Sequence, residues 1–276
     1  MSLFCCPVCG QPLSRTGKTY RCPDRHSFDQ AREGYVHLLP ANRKHSKDPG
    51  DDKGMAAARN RFLSGAWYAP LRETLEELAL ACPEEAPAIL DSGCGEGYYT
   101  QGIARRLMEA GRKPSVAGID LSRASLRYAA RRLPEGEFAV ASAYHLPVGD
   151  ERIDLLVNCF SPLALEEFRR VLKPGGRFLY VVPGPEHLWA LKQVLYEKPY
   201  RNKEIREDYP GFTWLEARQV RETVTLPDRQ TIDDLFHMTP YYWKTPAAGV
   251  ERLRVLEELA VEIAFDVHVY RREGAL

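Results

Sequence analysis

Four residues near the start of the chain, Cys6, Cys9, Cys22 and His26, have the types and spacing of a metal site. Cys6-Pro7-Val8-Cys9 is a C-x2-C knuckle; after twelve intervening residues, Cys22-Pro23-Asp24-Arg25-His26 supplies a C-x3-H pair. Such tight turns can close a tetrahedron of three sulfurs and one imidazole, the donor set of a structural zinc. With four protein ligands no position stays open for water, so the metal reads as structural rather than catalytic. Gly10, Pro12 and the alternating Thr19-Tyr20-Arg21 suit a short hairpin between the knuckles. A segment of about 40 residues is too small to hold itself together by burial, which makes a metal staple physically reasonable. Cys5 leaves a second register open, Cys5-x3-Cys9, although Cys6-x2-Cys9 is the better-formed knuckle.

The second constellation is Asp91-Ser92-Gly93-Cys94-Gly95-Glu96-Gly97-Tyr98-Tyr99, directly after the apolar run Ala88-Ile89-Leu90. Glycines at a strand-to-helix turn let the backbone approach a ligand closely. The pattern is G-x-G-x-G with an acid two residues ahead of it, which is awkward beside a pyrophosphate and useful beside an ammonium group. A second acid, Asp120, ends the next expected strand, where a carboxylate accepts the ribose hydroxyls of an adenosine ligand. A nucleoside that bears an amino acid in place of phosphates meets all of these demands. That ligand is S-adenosylmethionine.

The elements that must hold these residues follow from periodicity. Strands are expected at Ala88–Asp91, Val116–Asp120, Glu137–Ala141, Ile153–Cys159 and Arg177–Val182, with helices near 98–110, 122–132 and 163–172. That alternation predicts an α/β domain with a parallel sheet. Arg218–Leu226 and Val261–Arg271 alternate as two further strands around a helical stretch, and would add an antiparallel edge. Met55-Ala56-Ala57-Ala58-Arg59 and Leu71 to Ala81 read as helices leading into the sheet. The expected organisation is a ribbon over 1–40, a basic linker with leading helices over 41–85, and the main domain over 86–276.

At 276 residues, with 44% hydrophobic and 28% charged residues, the chain has material for a sizeable core. Disordered, collagenous, coiled-coil and disulfide-scaffold classes drop out. No stretch approaches the roughly 18 apolar residues of a spanning helix, and the N-terminus lacks a basic flank followed by an apolar core. The expectation is a soluble cytoplasmic protein that makes no membrane contact. The 38 basic and 38 acidic residues cancel, but unevenly. Residues 1–47 hold eight basic residues and three acids, +5; the remaining 30 basic and 35 acidic residues leave −5 on the body. A basic piece joined to an acidic body suits a segment that meets a polyanion. Its densest part is Arg43-Lys44-His45-Ser46-Lys47.

Ile89–Gly97, Gly118-Ile119-Asp120-Leu121-Ser122 and Leu172-Lys173-Pro174-Gly175-Gly176 resemble the motif series of class I methyltransferases, with their Rossmann-like fold. More narrowly, the whole chain resembles the 23S ribosomal RNA guanine-N1 methyltransferases, which place a zinc ribbon ahead of a class I domain. The segments that carry this are Cys6 to His26, Glu33–Pro40, Lys47-Asp48-Pro49-Gly50-Asp51, Gly65–Leu71 and Pro183–Leu188. The doubled Cys5-Cys6 and Ser92 depart from the pattern. The resemblance implies methylation of guanine N1 in large-subunit rRNA, a hairpin as RNA partner, S-adenosylmethionine as cofactor and one structural zinc. It also allows a homodimer. Cofactor contacts are implied for Tyr68, Asp91, Gly93, Gly95, Glu96, Gly97, Tyr98, Asp120 and His187, and zinc contacts for Cys6, Cys9, Cys22 and His26.

Guanine N1 carries a proton that must leave before or during attack on a methyl group, so a positioned base is expected. No residue of the sequence stands out for that part. Enzymes acting on exocyclic amines often carry an Asn/Asp-Pro-Pro-aromatic loop after the fourth strand; here that place reads Asn158-Cys159-Phe160-Ser161-Pro162, which favours a ring nitrogen. Trp67, Trp189, Trp214, Tyr241, Tyr242 and Trp243 are candidates for stacking a base. Two rival readings share the body motifs. A small-molecule methyltransferase acting on a quinone or other metabolite gives no reason for a basic ribbon. A non-catalytic RNA-binding protein gives no reason for intact Asp91, Gly93, Gly95, Gly97 and Asp120.

Overall fold

The computed structural model describes residues 2–40, 50–205 and 208–274. The basic cluster Arg43-Lys44-His45-Ser46-Lys47 lies outside the described residues. In the ribbon, β1 (Ser14–Thr16), β2 (Thr19–Arg21) and β3 (Ser27–Asp29) form an antiparallel sheet in that order, with Tyr20 opposite Arg15 and Phe28. The expected hairpin is therefore present, with a third strand added. β4 (Tyr35–His37) leaves the ribbon and pairs in parallel with a strand of the main sheet. The sequence reading groups Tyr35–His37 with the ribbon; in space they are an edge of the body.

Two helices lead to that sheet. In α1 (Lys53–Ser64) the Asp52 side chain accepts from the Met55 amide at 2.9 Å, an N-cap that satisfies one of the helix's orphan donors. Its apolar face buries Met55, Ala56, Ala58, Phe62 and Leu63. α2 (Ala69–Leu80) has Pro70 in its first turn, where a missing N–H costs nothing, and buries Leu71, Leu75 and Leu78.

The alternation then follows as expected: β5 (Ala88–Ser92), α3 (Tyr98–Glu109), β6 (Ser115–Asp120), α4 (Arg123–Arg132), β7 (Glu137–Val140), β8 (Ile153–Cys159), α5 (Leu165–Val171) and β9 (Leu172–Pro183). α6 (Trp189–Leu195) precedes the long β10 (Phe212–Leu226); α7 (Arg229–His237), a 3-10 helix (Pro240–Trp243) and α8 (Ala247–Arg254) lead to β11 (Leu259–Arg272). The eight strands run in the order β10-β11-β9-β8-β5-β6-β7-β4. β4 through β9 pair in parallel, while β11 is antiparallel to both β9 and β10, the expected antiparallel edge.

Because successive strand residues point to opposite faces, the parallel strands feed two cores. Ile89, Leu155 and Leu179 face one cluster, with α2 and α3; Leu90, Leu156 and Phe178 face the other, with α5. The second cluster also takes in Phe4, Leu13, Tyr20 and Cys22 of the ribbon. Phe4 bridges to Val148, and the Cys5 amide donates to the Pro147 carbonyl at 2.7 Å. Fully burying a side chain such as Phe4 or Leu13 contributes about 1.5–3 kcal/mol, so the ribbon is bonded into the body by burial as well as by backbone. No helix among the described residues is long and apolar enough to cross a membrane.

Candidate active site and metal centre

The two knuckles bring the four ribbon residues together. The ligand atoms of Cys6, Cys9, Cys22 and His26 all lie within 4.8 Å of one another. Cys9 Sγ is 3.6 Å from Cys22 Sγ, and His26 Nδ1 lies 3.6 Å from Cys6 Sγ and 3.4 Å from Cys22 Sγ. A tetrahedron with zinc–sulfur bonds of about 2.3 Å and zinc–nitrogen bonds of about 2.0 Å has edges of roughly 3.3–3.8 Å, so the donor set fits. Backbone bonds close each turn: Gly10 N to Cys6 O at 2.8 Å, Arg25 N to Cys22 O at 3.0 Å. Cys5 stands outside the cluster, in an isolated bridge with Pro12, and burial pushes its thiol up. Arg15, Lys18, Arg21, Arg25 and Arg32 are all exposed on the ribbon.

At the C-terminal ends of the parallel strands lies a cavity of about 600 Å³, within the range of ligand pockets. Tyr68, Asp91, Gly93, Gly95, Glu96, Tyr98, Asp120 and His187 all line it. Gly97 stands behind, as the left-handed cap of α3 (φ 75°), where a Cβ would come within 2.9 Å of Ala129 Cα. Gly93 has φ 89°, and its Cβ would fall 2.1 Å from Ser161 Oγ. Only glycine satisfies both the backbone and the space at these two positions.

The carboxylates are buried and set apart by their partners. Asp91 Oδ2 accepts from Thr100 Oγ1 at 2.5 Å, whereas Oδ1 has no partner; burial pushes this group up to about 7. Asp120 accepts from the amides of Gly95 at 3.0 Å and Ser122 at 2.7 Å, which fixes its plane, while burial raises it above the usual carboxylate range. Glu96, also pushed up to about 7 by burial, faces Arg59 at 3.6 Å. Arg59 further bonds to Asp51 and donates to the Met238 carbonyl at 3.0 Å. Thr100, Arg59 and Asp51 are not among the expected site residues: Arg59 is read only as part of a leading helix and Asp51 only within a resembling segment. Thr100 sits a few residues beyond the last glycine, a readable position, but Arg59 meets Glu96 only through tertiary packing.

His187 is buried against Phe265, ring centroids 4.5 Å apart, with Tyr68 at 6.0 Å. Burial, with Lys192 and Arg221 nearby, pushes its imidazole down to about 3. Its Nδ1 accepts from the Ala264 amide at 3.3 Å, so the neutral ring carries its proton on Nε2. It is thus a donor, and a poor general base. Tyr68 packs edge-on against Phe62 and Phe265 at 5.2 and 4.9 Å. The Tyr98 ring lies under Arg72 and Arg132, at 4.9 and 5.7 Å. Of the six aromatic candidates for stacking, Tyr241 lines the cavity and Trp243 is exposed two residues on. Trp67 and Trp214 pack against the two cores, and Trp189 lies under Arg201. Tyr144 and Phe160, absent from that set, are exposed and line the cavity.

Comparison with known proteins accords with this geometry. The family model for the N-terminal zinc ribbon of RlmA matches residues 4–47, and a methyltransferase domain model matches residues 89–176. The 23S rRNA (guanine(748)-N(1))-methyltransferase of Streptomyces fradiae is 33% identical, over 95% of both chains. YxjB of Bacillus subtilis (strain 168) is 32% identical over 96% of both chains. By contrast, the demethylmenaquinone methyltransferase of Bacillus velezensis is 26% identical over only 48% of this chain. With a metal cluster and a methyl-donor cavity in one chain, and relatives alike from end to end, this protein belongs to the 23S rRNA (guanine-N(1)-)-methyltransferase family.

Proposed function

We propose that this protein transfers a methyl group from S-adenosylmethionine to N1 of a guanine in a hairpin of 23S ribosomal RNA, in the cytoplasm. The end-to-end likeness to the Streptomyces fradiae enzyme, ribbon included, carries the reading. A quinone or metabolite substrate would leave the five exposed cations of the ribbon without a partner. A protein without catalysis would leave a buried, half-satisfied Asp91 without a use.

One zinc, held by Cys6, Cys9, Cys22 and His26, keeps the ribbon folded; the methyl donor supplies an electrophilic methyl on sulfonium. In this reading Asp120 accepts the ribose hydroxyls, its orientation preset by Gly95 and Ser122. Asp91 offers its free Oδ1 to the ammonium group at the glycine loop. Gly93, Gly95, Glu96, Gly97 and Tyr98 shape the loop, and Tyr68 and the Nε2–H of His187 close the far wall. The cavity then mainly excludes water and orients the reactants, which is what an in-line displacement needs. The ribbon and the 41–85 segment hold the RNA by its phosphates while an unstacked guanine enters the cavity of the 86–276 domain.

Mass mapping of modified nucleosides in large-subunit rRNA tests this. Deletion of the gene should remove one N1-methylguanosine, and the purified protein should restore it on unmodified 23S rRNA. Unchanged rRNA in the deletion strain overturns the reading.

A further inference from the structure

We infer that Phe160 is the platform on which the target guanine stacks, an inference that rests on the rRNA reading above. Phe160 follows β8 directly and lines the cavity, yet it is 50% exposed, unusual for so large an apolar ring. Its backbone has φ 54°, the left-handed region that a bulky residue enters only at a cost. A strained residue at a cavity mouth persists only when its surroundings over-determine it.

Those surroundings are visible. Asn158 is fully buried, and its Nδ2 donates to the carbonyls of Ser92 at 3.4 Å and Pro162 at 3.1 Å, tying the loop to the end of β5. Ser161 Oγ fills the space that a side chain at Gly93 would need. The loop that carries Phe160 is therefore braced against the glycine loop itself. From inside, Phe265 supports the ring at 5.4 Å, and Phe265 in turn contacts His187 and Tyr68.

Strand order gives the side. β5 lies between β6 and β8. A cofactor with its ribose on Asp120, at the end of β6, runs across the glycine loop with its other end toward β8. Phe160 stands at that end. Tyr144, the other exposed aromatic on the cavity, follows β7 and lies on the ribose side. An exposed, rigidly held ring beside the reactive end suits a flat heteroaromatic base, which every π-face stacks on without further recognition.

Three variants test this with an in vitro transcript of full-length 23S rRNA. Phe160→Gly removes the ring and relieves the positive φ, so its melting temperature should equal or exceed that of the parent. Phe160→Ala removes the ring alone, and Phe160→Tyr keeps it. We expect kcat/KM for the transcript to fall about 10- to 100-fold in Phe160→Gly and Phe160→Ala, with S-adenosylmethionine affinity by calorimetry unchanged. Phe160→Tyr should stay within about threefold of the parent, by the same stacking argument. With 2-aminopurine in place of the target guanine of an oligonucleotide hairpin, the parent should quench the extruded base and Phe160→Gly should leave it bright. Parent-like methylation by Phe160→Gly overturns the platform. So does a parallel loss of cofactor affinity, which would make the ring a cofactor cover, or failure of Phe160→Tyr to rescue. If the parent itself makes no N1-methylguanosine on the transcript, the guanine reading fails, and the platform with it.

Discussion

The backbone amide of Gly95 donates to Oδ2 of Asp120 over 3.0 Å, fastening the carboxylate at the end of one strand to the loop that follows its neighbour. The other oxygen, Oδ1, accepts from the Ser122 amide at 2.7 Å, so backbone amides orient both oxygens of the acid at the wall of the cavity it lines. Asp120→Ala should weaken S-adenosylmethionine binding by on the order of 1–3 kcal/mol through lost charge-assisted hydrogen bonds. Calorimetry measures it, and unchanged affinity would remove Asp120 from the ribose.

Arg59 is surrounded by Asp51, Glu96 and Asp120, all of which hold its guanidinium charged against the cost of burial. Arg59→Ala should destabilise the fold by about 2–3 kcal/mol at pH 8, less than a fully buried pair would cost because the side chain is 27% exposed. At pH 5 Glu96, already pushed up to about 7, is protonated and needs no partner, so the deficit should shrink. Thermal melts of both proteins at the two pH values decide this; an equal deficit at both would mean that the guanidinium acts through packing alone.

Burial raises Asp91 and Glu96 from ordinary carboxylate values to about 7. A raised acid favours the folded state below its unfolded value, near 4, and that advantage is lost as the pH climbs to about 7. Melting temperature of the ligand-free protein should therefore fall between pH 4 and 7, superimposed on the remaining groups. A cation arriving at Asp91 Oδ1 lowers that value again. Cofactor binding at pH 6.5 should release protons, visible as a binding enthalpy that varies with the ionisation enthalpy of the buffer. No buffer dependence would argue against an ammonium group at Asp91.

Purified protein should carry about one zinc per chain, and Cys22→Ser should abolish that stoichiometry. Hydrogen exchange should then rise across residues 5–30, while β5 to β9 stay protected. Because Phe4, Leu13 and Tyr20 belong to the core beneath β6 and β7, a drop of a few degrees in body melting should accompany it. Full retention of ribbon protection without metal would remove zinc as the staple.

Neutralising Arg43, Lys44 and Lys47 should reduce affinity for 23S rRNA and flatten its dependence on salt, since each phosphate contact releases counterions. Cofactor affinity should not change. Filter binding across a salt series separates the outcomes, and a parent-like slope would make the segment a solvated face.

Whatever rests on local spacing could be read from the residues alone. C-x2-C and C-x3-H are each short enough for one turn to aim both donors, so the cluster of Cys6, Cys9, Cys22 and His26 was legible. The five parallel strands 88–183, the flanking helices and the antiparallel closing pair followed from hydrophobic period. Asp91 and Asp120 were legible because each ends a buried strand at a fixed distance from the glycines. Contacts between distant segments were not, because no periodicity encodes which surfaces meet. Tyr35–His37 carries too few residues to announce a strand, and only the free edge of β7 made it one. Arg59 needed α1 packed beside the glycine loop before it could face Glu96. Ser161 and Phe160 gained their places because the turn after β8 must clear the glycine at position 93, a constraint that exists only once β5 and β8 lie side by side.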